Sequence, residues 1–268
     1  MLRPALPYVY CAGARNAALL NHNEGVGLER CGSPVTSGRS LVAESVAPMQ
    51  REDGTQGPGW SVRLSDGREI AAESLVLAVP AYEATRLLEK SAPQLSAPLG
   101  AIEYAPMCCV SSAYERDQVS HALDGFGFMV PRREGLNTIC TFWNSSLFGG
   151  RAPEGKVLMT SFAGRDSIEA LAGSTDGQCG RTIHAENARI LGIRGEPLEQ
   201  MVWRYPKALP QYNVGHAKRV AEIQRLVGVL QSLRLAGNYL TGRSIGDCAG
   251  LASRVAEDLN SRFRESNI

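Results

Sequence analysis

The stretch LRLAGNYLTGRSIGDC at positions 233–248 decides how this chain is interpreted. Its mostly apolar start, Leu233 to Ala236, favours a short strand. A loop with Gly237 and Gly242 follows and opens a helix near Gly246-Asp247. Glycines let a backbone pass close to a ligand, and a helix start directs unpaired N–H groups and a partial positive charge outward. The pattern is therefore typical of a ligand-binding edge, although a plain strand–turn–helix connection has the same pattern.

Regular elements extend in both directions from this stretch. His216 to Leu230 carries apolar residues at helical spacing, and Asp247 to Phe263 has one apolar residue per turn. Upstream, the apolar run from Ser74 to Val79 is typical of a strand that is buried on both faces and therefore has neighbours on both sides. Asp66-Gly67 predicts a hairpin turn, because this pair accepts positive φ angles at little cost.

The middle of the chain, residues 102–165, is rich in predicted strands with short links, which indicates an antiparallel sheet. A helix from Thr182 to Leu191 and a strand from Gln200 to Tyr205 follow. In the segment 203–216, two prolines predict an extended, stiff loop rather than a helix or a central strand. The fold class is therefore α+β or α/β. The predicted strands of the sheet are 107–114, 127–131, 137–145 and 156–163.

Two aromatic residues in this sheet are candidates for a binding surface. Phe126 and Phe128 are expected on the same strand face, where they form either sheet core or a wall against an apolar ligand. His216 stands at the start of a helix, where packing or capping is more frequent than base catalysis.

Composition excludes several classes of function. The 28 Lys and Arg residues balance 27 Asp and Glu residues, which argues against a nucleic-acid partner. The seven cysteines lack metal-ligand spacing, so no metal site is predicted, and they are interpreted as small core residues in a reducing compartment. No apolar run of about 18 residues is found. Met1 to Leu20 is a poor signal peptide, and we therefore expect a cytoplasmic protein.

Several segments of the chain resemble motifs of the protoporphyrinogen and coproporphyrinogen oxidases, which belong to the flavin-containing amine oxidase superfamily. Gly237-Asn238-Tyr239, with Gly242 and Ile245 to Cys248, looks like the C-terminal flavin-binding signature of that family. Leu209 to Tyr212 with Gly215-His216 looks like its I/L-P-Q-Y-x-x-G-H loop. Further matching segments are Leu77 to Ala81, Asp124 to Pro131 and Ser145 to Phe148. These ordered motifs cover about residues 41–259 and are jointly specific.

The resemblance implies an FAD enzyme of heme and porphyrin biosynthesis that oxidises protoporphyrinogen or coproporphyrinogen to the porphyrin, with molecular oxygen as acceptor. The flavin accepts hydride from a methylene bridge, and no catalytic side chain is required. Peripheral association with a membrane is also implied. The implied fold is the C-terminal part of a two-domain FAD-binding fold, Rossmann-like and of the glutathione-reductase type, with an antiparallel-sheet substrate domain. Residues 39–100 and 200–268 would form a partial FAD-binding domain, and 101–199 a partial substrate-binding domain.

Matching to the family motifs also implies which residues contact ligands. Val46 matches a position on the adenine side of FAD, and Tyr205 stands where many relatives have a tryptophan beside the flavin. The helix start would face the N1–C2=O edge of the flavin, where negative charge accumulates on reduction. Phe126 and Phe128 would contact the substrate. The loop residues implied to contact FAD are Gly237, Asn238, Gly242, Arg243, Ser244 and Ile245.

The N-terminal segment departs from the family pattern. Relatives begin with a strand and a G-x-G-x-x-G turn, whereas Gly25-Val-Gly27 lacks the third glycine. Residues 1–38 are predicted to form an irregular leader with a short helix from Ala14 to Leu20. We therefore expect a truncated oxidase, or a module that completes an FAD site with a separate N-terminal polypeptide, or a non-catalytic remnant. Because neighbours of the strand at residues 75–79 would be missing, exposed strand edges and apolar surface also predict a homo-oligomer.

Overall fold

The computed structural model describes residues 8–12, 17–21, 42–51, 53, 55–164, 174–230 and 232–265. The chain divides into two compact units. The first comprises Met1–Glu103 and Gln211–Ile268, and the second comprises Tyr104–Pro210. The second unit thus ends at Pro210, beyond the expected limit at residue 199.

A four-stranded sheet in the first unit is built around the apolar strand β6, Ser74–Ala78. Strand β12, Leu233–Leu235, runs parallel to β6 on one side, and β1, Tyr8–Ala12, runs antiparallel to it on the other. The predicted two-sided burial of β6 is confirmed, since Leu75 and Leu77 are buried on one face and Val76 on the other. Burial of these side chains is the main favourable contribution from this strand.

Two N-terminal strands replace the short helix that the sequence predicts within residues 1–38. Strand β2, Ala17–Asn21, pairs antiparallel with β1 and forms the other edge of the sheet. The predicted helix from Ala14 to Leu20 is therefore wrong over residues 17–20, and residues 14–16 lie outside the described part of the chain. Alanine and leucine suit both helix and strand, so pairing with β1 decides the conformation.

A separate three-stranded antiparallel sheet also belongs to the first unit. Its strands are β3, Ala43–Gln50, β4, Gln56–Leu64, and β5, Glu69–Ala72, in the order β3-β4-β5. The predicted Asp-Gly turn joins β4 to β5, and Gly67 has a φ angle of 84°. Four helices complete the described part of this unit: α1, Ala81–Leu88, α2, Pro93–Gly100, α5, His216–Val229, and α6, Ile245–Glu265.

The second unit contains the predicted antiparallel sheet. Its five strands follow the order β11-β7-β10-β9-β8, and the long helix α4, Asp176–Leu191, packs on one face. Thr175 caps that helix through a reciprocal capping box with Gln178. A short helix α3, Asn144–Leu147, follows β9. The strands are β7, Tyr104–Glu115, β8, Gly127–Met129, β9, Thr138–Phe142, β10, Lys156–Ala163, and β11, Glu199–Pro210.

The two prolines of the segment 203–216 do not end the sheet. Strand β11 continues through Pro206 to Pro210, so the prediction of a loop over these residues is wrong. The strand tolerates proline because it lies at the edge of the sheet and its register shifts between Tyr205 and Leu209. Among the described residues, no helix is long and apolar enough to cross a membrane.

Candidate functional site

The candidate site is the loop between β12 and α6, which we call the glycine loop, residues 236–244. It leaves the carboxyl end of β12, and the Ala236 N–H donates to Leu77 O at 3.0 Å. One further turn is closed by the Leu240 N–H, which donates to Gly237 O at 3.2 Å. The loop then enters α6 at Ile245, as the glycine and aspartate pattern of this stretch predicts.

Two of the glycines are required by packing within the chain itself. A Cβ atom on Gly237 would lie 2.3 Å from Cε1 of Tyr239. A Cβ atom on Gly242 would lie 2.3 Å from Oδ2 of Asp247. These distances are too short for any side chain, so both glycines serve the shape of the loop.

Gly246 is different, because no packing contact within the described residues requires a glycine there. The nearest atom to a Cβ built there is Ser244 Oγ, at 3.7 Å. Glycine in a helix interior is less favourable than alanine by roughly 0.5–1 kcal/mol. The open space at Gly246 therefore suits the close approach of a ligand to the helix backbone.

Ser244 and Asp247 cap the start of α6 reciprocally. The Asp247 N–H donates to Ser244 Oγ at 3.0 Å, while the hydroxyl and the N–H of Ser244 both donate to Asp247 Oδ2. The N–H groups of Ile245 and Gly246 donate to no residue in the part of the chain that the structure describes. Two donors thus remain for a ligand at this helix start.

We expect this cap to depend on pH. Hydrogen bonds from the Ser244 side chain and backbone hold the pKa of the Asp247 carboxyl below its ordinary value of 3.8. Because the folded pKa is the lower one, the stabilisation is present above the unfolded pKa and is lost as pH falls through the folded pKa. The melting temperatures of the wild-type and Ser244→Ala proteins should therefore differ more at about pH 6 than at a pH below the folded pKa of Asp247, where only the Asp247 N–H to Ser244 Oγ bond still separates them. A difference that stays constant over this range would contradict the assignment.

A second segment, around Tyr212 and His216, holds the glycine loop from outside. The Tyr212 hydroxyl donates to Asn238 O at 2.5 Å, and His216 Nε2 lies 2.9 Å from Tyr239 O. The two rings stack at 4.2 Å, and the Arg243 guanidinium lies 5.2 Å from the centre of the Tyr212 ring. His216 is buried, which agrees with the predicted packing role rather than with base catalysis. Gly215 directly precedes the helix that begins at His216.

The loop residues named from the sequence lie together, whereas Val46 and Tyr205 lie elsewhere. Val46 belongs to β3, where it is buried and pairs with Val62. Tyr205 belongs to β11 of the second unit, beside Met107. Desolvation raises the pKa of the Tyr205 phenol, which keeps it protonated at neutral pH.

Phe126 and Phe128 do not share a face, so that prediction is wrong. Phe126 precedes β8 and packs edge-on against Phe142, with ring centres 5.2 Å apart. Phe128 pairs with Thr141 and packs into the core cluster around Tyr114. The expected alternation of side chains between the two faces does not extend to Phe126, because β8 begins only at Gly127. The backbone of Gly127 lies so close to β9 that a Cβ atom there would be 2.1 Å from Thr141 O.

Of the five cysteines whose side chains the structure describes, Cys108, Cys140 and Cys179 are buried, as the sequence predicts for small core residues, and Cys109 and Cys248 are half-buried. Cys108 is buried, whereas its neighbour Cys109 points to the other face of β7. Cys108 and Cys179 pack with their sulfur atoms 3.2 Å apart between β7 and α4. Over the described ranges, no disulfide joins the cysteines and no group of residues could hold a metal ion.

The roles of Asp247, Tyr212 and His216 were missed from the sequence. The S-x-x-D spacing of Ser244 and Asp247 is a capping signal that predicts their contact. No sequence pattern shows that Tyr212 and His216 reach the carbonyls of Asn238 and Tyr239, because these pairs are separated by more than twenty residues.

Comparisons with known proteins find relatives over most of this chain. Residues 44–260 match the family model of flavin-containing amine oxidoreductases. Protoporphyrinogen oxidase 1 of Arabidopsis thaliana chloroplasts is 28% identical over 202 residues, which is 72% of this chain and 38% of that protein. Coproporphyrinogen III oxidase of Propionibacterium freudenreichii is 30% identical over 199 residues, which is 74% of this chain and 37% of that protein. This chain therefore spans less than half the length of these curated relatives.

Solved structures share the fold. A protein of Exiguobacterium sp. 255-15, provisionally assigned as a protoporphyrinogen oxidase, superposes with a TM-score of 0.68 and 21% identity, covering 83% of this chain and 47% of that one. Putrescine oxidase superposes with a TM-score of 0.59 and 13% identity, covering 83% of this chain and 49% of that one. Because the family model covers most of the residues, this chain belongs to the flavin-containing amine oxidoreductases, enzymes that use FAD as cofactor.

Proposed function

We propose that this chain forms the flavin-facing edge and the substrate wall of an FAD-dependent porphyrinogen oxidase. The substrate would be protoporphyrinogen or coproporphyrinogen, as in the names of the relatives, and molecular oxygen would be the final acceptor. The observation that carries the proposal is the open helix start at Gly246, held in place by the capped glycine loop.

The residues at this helix start fit the ring of FAD. Gly246 leaves room for a planar ligand, and the N–H groups of Ile245 and Gly246 can donate to carbonyl oxygens on its edge. The partial positive charge of the helix start favours negative charge on that edge, and the exposed guanidinium of Arg243 adds to it. When bound, FAD would supply the hydride acceptor for oxidation of the substrate.

The side chains around the loop orient the ligand and do not transfer protons. The Asp247 carboxylate accepts from Ser244, and the buried His216 contacts Tyr239 O. Both groups are therefore already engaged in holding the backbone. The protein's contribution would be placement of the ligand and exclusion of water.

A second surface fits a large apolar substrate. On the face of the second-unit sheet opposite α4, Phe142 contacts both Phe126 and Phe162 edge to face. Trp203 and Phe162 flank Cys109 across strands β11, β7 and β10, so they share this face. We assign the porphyrinogen wall to these aromatic side chains, with Phe128 left to the core.

Gly246→Ala tests the flavin-facing edge. A methyl group there meets no protein atom closer than 3.7 Å, so the fold should be kept and the melting temperature should rise slightly. FAD affinity should fall at least about tenfold, because the methyl group fills the space for the ring. Gly228→Ala is the matched control: it is an exposed glycine of α5 with open space, and it should leave FAD affinity unchanged.

Fluorescence titration with FAD measures both variants, and equal affinity of Gly246→Ala and wild type would overturn the assignment. A parallel titration after co-expression with the N-terminal portion of a curated relative tests the alternative function. If FAD binds only in that mixture, the chain completes an FAD site with a separate polypeptide. Porphyrin fluorescence with each porphyrinogen, with and without oxygen, then identifies the substrate and the acceptor.

A further inference from the structure

Two side chains from one short segment contact successive carbonyl groups of the glycine loop. We propose that Tyr212 and His216 are positioning residues that hold this loop in its flavin-facing shape. The proposal rests on the proposed FAD site and goes beyond it, because it assigns a role to a segment that makes no direct contribution to the ligand edge described above.

The carbonyls of Asn238 and Tyr239 are where the loop turns away from β12. Tyr212 donates to the first at 2.5 Å, and His216 reaches the second at 2.9 Å. Two fixed carbonyls in sequence restrict the backbone rotations between them. Residues 240–244, which lead into α6, then start from a defined position.

The segment that makes these contacts is itself fixed on both sides of Tyr212. The Gln211 N–H donates to Glu103 O at 2.8 Å, and Asn213 Nδ2 donates to Glu103 Oε2 at 3.0 Å. Gly215 has a φ angle of 90°, which allows the chain to turn into α5 at His216. The stacked rings of Tyr212 and His216, 12° from parallel, lock the two contacts together.

The state of His216 follows from its partner. A carbonyl oxygen only accepts, so His216 Nε2 carries the proton and donates to Tyr239 O. His216 Nδ1 is buried and has no hydrogen-bond partner among the described residues. An unpaired buried nitrogen is unfavourable for stability, and an apolar residue would avoid it. The contact with the loop therefore explains why a histidine, and not an apolar residue, stands at position 216.

Tyr212 provides the variant that keeps the fold. Its side chain is 40% exposed, so Tyr212→Phe removes one hydroxyl at the surface and retains the stacked ring. Partial burial raises the pKa of the phenol, which is therefore a hydrogen-bond donor at neutral pH. For His216, glutamine places an amide N–H near the Nε2 position, whereas asparagine is too short to reach Tyr239 O.

Hydrogen exchange of the apo protein tests the positioning directly. Tyr212→Phe and His216→Asn should speed exchange of the amides in residues 238–244 by about fivefold or more, and His216→Gln should restore slow exchange. Lys218→Ala, an exposed change on the same helix, should have no effect. Unchanged exchange in both Tyr212→Phe and His216→Asn would overturn the proposal.

Flavin binding tests the consequence for the ligand. Riboflavin, FAD and ADP are used as probes, and Tyr212→Phe should weaken riboflavin and FAD by about the same factor, roughly fivefold, without changing ADP. Equal affinity of wild type and variant for riboflavin would contradict the positioning role. If the wild type binds no flavin, either alone or when co-expressed with the N-terminal portion of a curated relative, the proposed function fails, while the exchange result still decides whether the loop is held by Tyr212 and His216.

Discussion

Gly242→Val is expected to leave the protein unable to retain FAD, which is the largest functional effect that we predict for one substitution. Any Cβ at this position would lie 2.3 Å from Asp247 Oδ2 and 2.4 Å from its Cγ. Asp247 would have to move, and its hydrogen bonds with Ser244 would break. The start of α6 would then lose its cap together with the open surface at Gly246.

Flavin content after purification, with FAD supplied throughout, measures this result. Gly149→Val is the matched control, because a Cβ on Gly149 meets no atom within 4 Å and this glycine lies in the second unit. The control should bind FAD like the wild type. If Gly242→Val retains the wild-type flavin content, the glycine loop is not the flavin-facing edge.

Gly242→Val and Gly246→Ala separate two reasons for a glycine in this motif. The first variant disturbs the protein's own packing, and its melting temperature should fall. The second changes only the space available to a ligand, and its melting temperature should not fall. Loss of FAD in both variants, with opposite effects on stability, would show that the ligand approaches Gly246 and that Gly242 shapes the loop.

Elements with strong periodicity could be predicted from the sequence. The apolar run of β6, the amphipathic helix from His216 and the Asp-Gly turn before β5 all form as expected. In each case the local signal and the tertiary environment favour the same structure. The position of the candidate site was predictable for the same reason, because the glycine loop lies between a buried strand and a capped helix.

Features set by distant partners could not be predicted. Strand β11 tolerates Pro206 only because it is an edge strand, and edge position is a property of the whole sheet. The separation of Phe126 from Phe128 depends on how closely Gly127 approaches Thr141 O. The two glycines of the loop and Gly246 in the first turn of α6 illustrate the same point: the sequence shows that all three are present, but only the coordinates show that Gly246 alone of the three leaves open space.

The largest effect on stability is expected in the second unit, where a buried polar network joins α4 to the sheet that carries the proposed substrate wall. Asn187 Nδ2 donates to Ser161 Oγ at 2.8 Å, Thr141 Oγ1 donates to Asn187 Oδ1 at 3.0 Å, and the two hydroxyls lie 2.8 Å apart. If Ser161 donates to Thr141, each group donates once and accepts once within this closed ring. All three residues are buried, so water cannot replace a lost partner.

Asn187→Ala would open the ring, leave two buried hydroxyls incompletely paired and create a cavity. We expect the free energy of unfolding of the second unit to fall by about 3 kcal/mol. Urea unfolding followed by tryptophan fluorescence measures this free energy. Trp143 and Trp203 lie in the second unit and report its unfolding, whereas Trp60 lies in the first unit. Arg189→Ala, an exposed change on the same helix, should alter that free energy by less than about 0.5 kcal/mol. Equal effects of the two substitutions would mean that the network contributes little, and that α4 is held to the sheet by apolar contacts such as those of Ile183 and Cys179.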